Sequence, residues 1–275
     1  MPRVSVIIPT HDRAAVLGRA VSSVLAQTWT DFELVVVDDG STDATPAVLA
    51  GFSDPRLKGI RRENKGVSAA RNAGIAATSA PWIALLDSDD YWMPDKLSKQ
   101  LRFLAESGFS ICQTEEIWIR HGVRVNPCRK HAKMAGWFLP RSLELCLISP
   151  SCVMFSRGLW EELGPFDESL PACEDYSLWL RVGIRYAVGL LPEALTVKTG
   201  GHADQLSRRI TGLDLYRIYA MLDLLRRADL TPEQRGWTTR ALEERVRMYA
   251  RGCVKHGNAE EAQRVRELAA PFLEE

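Results

Sequence analysis

Val35-Val36-Val37-Asp38-Asp39-Gly40-Ser41 is an apolar run that stops abruptly at two carboxylates and a turn. Trp82-Ile83-Ala84-Leu85-Leu86-Asp87-Ser88-Asp89-Asp90 repeats the device with three carboxylates in four residues. Short β-branched or Leu-rich runs without polar alternation read as strands buried on both faces, which is the mark of a parallel sheet. Ligands of open α/β sheets bind beyond the carboxyl ends of the strands. Both acidic clusters are therefore expected on one rim of a sheet, where crowded carboxylates are explained more naturally by a divalent cation than by packing.

Working outward, Val4 to Ile8 reads as the first strand, stopped by Pro9. Val16, Leu17, Ala20, Val21, Val24 and Leu25 recur at helical spacing and form one apolar stripe. Glu33 to Val37 reads as the second strand, and residues 43–52 as a short helix capped by Ser41 or Thr42. Leu57 to Arg61 is a weaker strand, Gly66 to Thr78 an Ala-rich helix, and Trp82 to Leu86 the next strand. Asp95 to Glu106 is predicted helical, with Pro94 near its start and Leu97, Leu101 and Leu104 on one face. This β-α-β-α order predicts an α/β fold: a Rossmann-like, mostly parallel, doubly wound sheet flanked by helices with right-handed crossovers. Phe109 to Thr114 and Ser151 to Phe155 read as further strands, and Glu174 to Val182 as a short helix. The basic stretch 121–140 reads as a loop. From about Leu206 the pattern is helical only, so a boundary is expected between a domain of residues 1–205 and an all-helical C-terminal extension, 206–275. In that extension Thr231-Pro232-Glu233-Gln234 is a capping box with Pro at the first helical position, and Asn258 caps a last helix that Pro271 ends.

Lys+Arg and Asp+Glu both number 35, so the formal net charge is zero and a general nucleic-acid binder is not expected. Cys112, Cys128, Cys146, Cys152, Cys173 and Cys253 form no C-x-x-C pair. They are read as reduced thiols of a cytosolic protein rather than as a disulfide or zinc framework. No secretory-leader pattern precedes Val4. No apolar run approaches the ~20 residues that span a bilayer, so any membrane contact is expected to be peripheral.

Five local patterns fall in order: Pro9-Thr10-His11-Asp12-Arg13, Asp38-Asp39-Gly40-Ser41-Thr42-Asp43, Asn64-Lys65-Gly66 with Ala70-Arg71-Asn72, Leu86-Asp87-Ser88-Asp89-Asp90, and Glu174-Asp175. Each alone is a weak signal. Together they closely resemble the inverting, bacterial-type family 2 glycosyltransferases of the GT-A fold, over roughly residues 3–205. The resemblance implies a nucleotide-sugar half at about 1–115 and an acceptor half at about 116–205.

It implies further that Pro9 and Thr10, with Arg13, meet the nucleotide's base and ribose; a strand stop and helix cap is the alternative for Thr10 and Asp12. His11 and Asp12 stand where family members often have an aromatic residue and Asn. Asp39 is implied to accept from a uracil imide N–H, although Asp38 and Asp39 could instead cap the Ser41 turn. Asn64 and Gly66 lead into a helix whose N-terminus suits an anion. Arg71 adds a planar donor fork, implied to hold the nucleotide and the acidic motif, against the alternative of a solvated helix face. Asp87-Ser88-Asp89 matches the D-x-D signature. Hard Mg²⁺ or Mn²⁺ takes one or two protein carboxylates plus substrate phosphate oxygens. Alternation along an extended chain would send Asp87 and Asp89 to one side. The resemblance then gives Asp89 to the metal and Asp87, beside Ser88, to the ribose or a metal-bound water; Asp90 is left to cap the following turn. Glu174-Asp175 opens a helix, where two acids also suit the helix dipole. The resemblance makes Asp175 the general base and Glu174 a contact to acceptor or donor sugar. His202 is implied to meet the metal or the diphosphate, against an ordinary structural histidine.

The implied activity is metal-assisted transfer, with inversion, from a nucleoside diphosphate sugar, a UDP-sugar first, to a hydroxyl of a glycan, glycolipid or lipid-linked acceptor. Its setting would be cell-surface polysaccharide or glycolipid synthesis, in the cytoplasm or at the inner face of the cell membrane. The 121–140 loop suits an anionic or lipid-diphosphate acceptor and equally a solvated charged loop. The helical extension suits a homodimer contact or a cover for the sheet. Two other classes stay in play. A receiver-type phospho-switch would use Asp38, Asp39 and Asp87 but leave Asn64–Asn72 and Glu174-Asp175 idle. An inactive nucleotide-binding scaffold would need a broken metal or base motif. No G-x-G-x-x-G follows the first strand and no P-loop is present, which counts against dinucleotide redox and NTPase chemistry. Paired carboxylates also serve glycoside hydrolases, which would leave the nucleotide pattern unexplained.

Overall fold

The computed structural model describes residues 2–126, 128–201, 210–227 and 229–273. Nine strands form one sheet: β1 (Val4–Thr10), β2 (Phe32–Asp38), β3 (Leu57–Arg61), β4 (Trp82–Leu85), β5 (Tyr91–Trp92), β6 (Ile111–Arg120), β7 (Val123–Val125), β8 (Val153–Ser156) and β9 (Gly189–Gly200). Their order is β3-β2-β1-β4-β8-β6-β9-β5, with β7 on β6. The first four strands are mutually parallel. Beyond them the sheet is mixed: β8 runs antiparallel to β4 and β6, β6 and β9 are parallel, and β5 is antiparallel to β9.

The parallel half explains the run-like strands. Val6, Ile8, Leu34, Val36, Ala84 and Leu86 face helices α1 (Ala14–Leu25) and α4 (Lys96–Ser107), through Leu17, Val21, Val24, Leu97 and Leu104. Ile7, Val35, Val37, Ile83 and Leu85 face the other way, onto Ala70 and Ile75 of α3 (Val67–Ala76) and Leu178 and Val182 of α7 (Glu174–Arg185). With both faces covered, neither set of alternate positions tolerates polar residues. Helix α3 lies so close to the sheet that a Cβ on Gly74 would come within 2.5 Å of Ile7 Cγ2.

The register brings the acidic clusters together. Thr10 lies opposite Asp38, and Ile7 opposite Leu85. The chain therefore leaves β1, β2 and β4 at one rim, as the sequence pattern predicts.

Helices α2 (Thr45–Ala50), α5 (Leu139–Glu144) and α6 (Arg157–Leu163) are short. Neither Ser41 nor Thr42 caps α2. Thr45 N–H donates to Asp43 Oδ1 at 2.8 Å, while Ser41 Oγ accepts from Asp12 N–H. The 121–140 stretch is not simply a loop. It holds β7, a 3₁₀ turn at Arg129–His131 and the start of α5. His121 and Gly122, at φ 51° and 78°, join β6 to β7 as a two-residue hairpin. Positive φ at both central positions is the geometry of the type I′ turn, usually signalled by Asn-Gly.

Three further helices, α8 (Leu213–Arg227), α9 (Pro232–Lys255) and α10 (Ala259–Ala269), pack on α5 and α7 rather than on the sheet. Ile218, Met221, Leu242, Val246 and Val265 share a core with Leu139, Leu143, Tyr176 and Leu180. The capping box is present: Gln234 N–H donates to Thr231 Oγ1 at 3.2 Å, and Thr231 N–H to Gln234 Oε1 at 3.0 Å. Asn258 Oδ1 caps α10 through Glu261 N–H. Thr231→Ala should cost about 1 kcal/mol, measured as a lower urea midpoint at unchanged slope.

Candidate active site

At the β2 exit Asp39 is buried and hydrogen-bonded. Its N–H donates to Thr10 O at 2.8 Å. Its carboxylate accepts from Gly66 N–H at 2.7 Å and Lys65 N–H at 3.1 Å, with Arg62 Nε 3.2 Å away. Asp39 thus holds the Lys65 and Gly66 N–H groups ahead of α3. Asp38 serves as the turn cap, accepting from Ser41 N–H at 2.8 Å. His11 Nδ1 lies 3.0 Å from Asp39 O, and Asn64 Nδ2 lies 3.1 Å from His11 Nε2. Asp12 adopts φ 50° and accepts from Thr42 N–H at 2.7 Å, which holds its carboxyl below the usual range. Arg13 precedes α1, its N–H donating to Thr45 Oγ1. Pro9, Thr10, Arg13, Asp39, Asn64 and Gly66 are thereby gathered where β1, β2 and α3 meet.

The acidic turn is closed rather than extended: Asp90 N–H donates to Asp87 O at 3.0 Å. The alternation argument for Asp87 and Asp89 therefore does not describe it. Asp90 is not a surface cap either. It is buried, accepting from Ser151 Oγ at 2.6 Å and from Thr199 N–H at 2.8 Å. Burial foremost pushes its carboxyl up to about 8. Ser151 Oγ also accepts from Asp87 N–H at 3.1 Å. Arg19 of α1 donates to both Asp89 O and Thr199 Oγ1, at 2.8 and 2.9 Å. Ser88 is buried, whereas Asp87 and Asp89 are only half-buried at the rim.

Arg71 joins this turn to α7. Its Nη2 donates to Asp87 Oδ1 at 2.8 Å and its Nη1 to Glu174 Oε1 at 2.5 Å, and the guanidinium lies over Phe166 at 5.3 Å. Burial opposes the charge on Arg71, but Asp87 and Glu174 outweigh it and raise its pKa above the ordinary arginine value. Burial pushes Glu174 up against the pull of Arg71, whose Nη1 lies 2.5 Å from Oε1. Cys173, in the left-handed region at φ 62°, turns the chain into α7. Asp175 follows, with Oδ1 accepting from Tyr176 N–H at 2.7 Å and Oδ2 accepting from the Cys146 thiol at 3.5 Å. Burial, then Asp175, pushes that thiol well above its usual pKa.

Sequence reading missed Arg19, Cys146, Ser151 and Lys198. Lys198, on β9, is a cation near Glu116, Asp90 and Asp87; burial opposes its charge, yet these neighbours raise its pKa. Lys198 to Gly200 form the end of β9. His202 lies outside the described residues. The receiver-type reading finds no support here, because Asp38 caps a turn and Asp39 is spent on backbone N–H groups.

The profile of "Glycosyl transferase family 2" matches residues 5–163. The chain is 33% identical over 195 residues to the uncharacterized glycosyltransferase RC0461 of Rickettsia conorii, covering 70% of this chain and 32% of that protein. It spans about a third of the length of this and two further Rickettsia relatives, 32%, 28% and 32%. It is 33% identical over 180 residues to WfgD of Escherichia coli, a UDP-Glc:alpha-D-GlcNAc-diphosphoundecaprenol beta-1,3-glucosyltransferase, covering 65% of this chain and 69% of WfgD. Among solved structures, S. aureus TarS 1–349 in complex with UDP-GlcNAc superposes with a TM-score of 0.73 at 19% identity, over 97% of this chain and 91% of that one. At that identity the likeness is one of fold. The profile match spans more than half the chain and covers β1, β2, β4 and the acidic turn, stopping short of Glu174-Asp175, so the chain belongs to glycosyl transferase family 2, with the GT-A architecture.

Proposed function

We propose that the chain transfers a sugar, with inversion, from a nucleoside diphosphate sugar to an acceptor hydroxyl. One observation carries this reading: Arg71 holds Asp87 of the acidic turn and Glu174 beside Asp175, so the donor turn and a candidate base share one site. Pro9, Thr10, Arg13, Asp39, Asn64 and Gly66 would surround the nucleoside, with Arg71, Asp87 and Ser88 towards the ribose and diphosphate. UDP is the nucleotide supported by WfgD and TarS, whose descriptions name UDP-Glc and UDP-GlcNAc.

A divalent Mg²⁺ or Mn²⁺ fits the half-buried carboxylates at this rim. No group of three or more His, Cys, Asp or Glu able to hold a metal occurs among the described residues. Such hard ions need only one or two protein carboxylates when phosphate oxygens and water complete the shell. Asp89 would hold the ion, with Asp87 beside it and His202 as a further contact. Bound there, it would offset the charge that develops on the departing diphosphate. Asp175 takes the proton of the acceptor hydroxyl as that oxygen attacks the anomeric carbon. The bond to the diphosphate breaks on the opposite face, and the nucleoside diphosphate departs with the electron pair. Glu174, held by Arg71, orients acceptor or donor hydroxyls.

The acceptor named for WfgD is lipid-linked. It supports a glycolipid or lipid-diphosphate acceptor in polysaccharide synthesis, at the cytoplasmic face of the membrane. We divide the chain accordingly into a transferase unit, 1–205, and a helical unit, 206–275, that backs α7.

The test is thermal melting with UDP, dTDP, GDP and ADP, each with and without Mn²⁺. Ligand at a hundredfold its dissociation constant adds ~2.7 kcal/mol, on the order of 5–10 °C for a chain of this size. A Mn²⁺-dependent shift with UDP is expected, and Asp89→Ala should remove its metal-dependent part. A folded protein that shifts with no nucleotide would overturn the donor site.

A further inference from the structure

Residues 117–143 contain no Asp or Glu, but six Lys or Arg. The rest of this electrically neutral chain therefore carries 29 basic and 35 acidic residues. The stretch folds as the β6–β7 hairpin, the 3₁₀ turn at Arg129–His131 and the approach to α5.

Buried contacts fasten the hairpin to the turn. Lys133 Nζ lies 3.0 Å from Glu116 Oε2, and Trp118 Nε1 donates to Glu116 Oε1 at 2.6 Å. Trp118 packs on the His131 ring at 5.4 Å and carries the Arg120 guanidinium at 5.3 Å. Burial, then Lys130, Lys198 and Arg120, holds His131 below its usual pKa against the pull of Glu116, so these cations do crowd one place.

Arg120, Arg124, Arg129 and Lys130 are exposed. None of the four has a carboxylate partner among the described residues, whereas Arg56, Arg62, Arg245 and Arg264 are paired with Asp54, Asp39, Asp214 and Glu261. The same stretch holds two of the four large hydrophobics left exposed among the described residues, Val123 at 65% and Trp137 at 64%. Cations without a carboxylate partner beside the exposed Val123 tip match the chemistry of a bilayer interface, with anionic headgroups for the cations and an apolar boundary for Val123. Trp137 lies towards the other end of β6, where Gly136 bridges Val188 and Gly189 pairs with Cys112, and is not part of this tip. A nucleic acid would use the cations but gives the Val123 tip nothing to bury in.

We propose that the β6–β7 hairpin and the Arg129–His131 turn form a docking face for an anionic lipid bilayer. No helix among the described residues is long and apolar enough to cross a membrane, so this face would bring the chain to the bilayer by surface contact. The proposal deepens the reading of a lipid-linked acceptor, but does not depend on the donor assignment.

The experiment is co-sedimentation of the full chain with vesicles of phosphatidylglycerol and phosphatidylcholine, against pure phosphatidylcholine, at low and high salt. Binding to the anionic vesicles alone is expected, with release at high salt. The double variant Arg124→Glu/Lys130→Glu should bind at least about tenfold more weakly, and Val123→Ser should weaken binding without changing its salt dependence. Both variants alter exposed side chains, and an unchanged melting temperature with unchanged UDP response would show the fold and donor site intact. No binding to anionic vesicles, or undiminished binding by the charge-reversed variant, overturns the proposal. Capture of a single-stranded oligonucleotide without vesicle binding would overturn it in favour of nucleic acid. None of these outcomes bears on the UDP melting test.

Discussion

Asp175→Asn is expected to lower kcat by about 10²–10⁴-fold, with UDP and Mn²⁺ binding unchanged. The amide has the shape of the carboxylate but cannot take a proton. Its oxygen can still accept from Tyr176 N–H, the bond that fixes Asp175 Oδ1 in the native chain. In the proposed site the nucleotide is bound by residues of β1, β2, α3 and the acidic turn, whereas the Asp175 side chain hydrogen-bonds to Tyr176 N–H and the Cys146 thiol. Turnover with a competent acceptor, set beside the UDP melting shift of the same variant, separates the two effects. Full turnover would remove Asp175 as base; loss of both turnover and the UDP shift would mean that the side chain holds the site together instead.

Arg71→Ala should destabilise the chain by about 3–5 kcal/mol, the usual effect of removing one partner from a buried ion pair. Arg71 and Glu174 are both buried, and Asp87 shares the same guanidinium. Truncation leaves two carboxylates facing each other without a cation. Arg71→Lys keeps the charge but loses the fork that reaches both acids at once. It should recover part of the stability and little of the turnover. Urea unfolding of the three proteins checks this. A loss below about 1 kcal/mol for Arg71→Ala, the range of exposed pairs, would show that the bridge does not hold these elements together.

How far the chain could be read in advance depended on the range of the interactions involved. Strands β1, β2 and β4 were legible because burial on both faces leaves uninterrupted apolar runs, and their shared parallel register then put both acidic clusters on one rim. The capping box at Thr231, the Asn258 cap and the turn at Gly66 before α3 are local, and so were legible too. The strand order beyond β4 was not, because nothing within Val153–Ser156 states that it will lie between β4 and β6. The hairpin at His121-Gly122 was missed because His stands where Asn usually marks such a turn. The geometry of Asp87–Asp90 was misjudged because its shape is imposed from afar. Ser151 lies 61 residues from Asp90 and Thr199 lies 109 away, and no local pattern records either contact. Cys146 faces Asp175 for the same unreadable reason, 29 residues apart.

That remote completion of the acidic turn bears on how such a protein can be taken apart. A fragment ending near residue 115 would carry every carboxylate of the D-x-D turn, yet neither the hydroxyl of Ser151 nor the amide of Thr199 that shapes it. Under the proposed division, residues of the acceptor half thus complete the turn assigned to the donor. Exchanging acceptor halves between relatives is then not a neutral graft: a replacement lacking a hydroxyl at position 151, or with β9 displaced along its neighbour, would alter handling of the nucleotide sugar while every donor-contacting residue stayed the same.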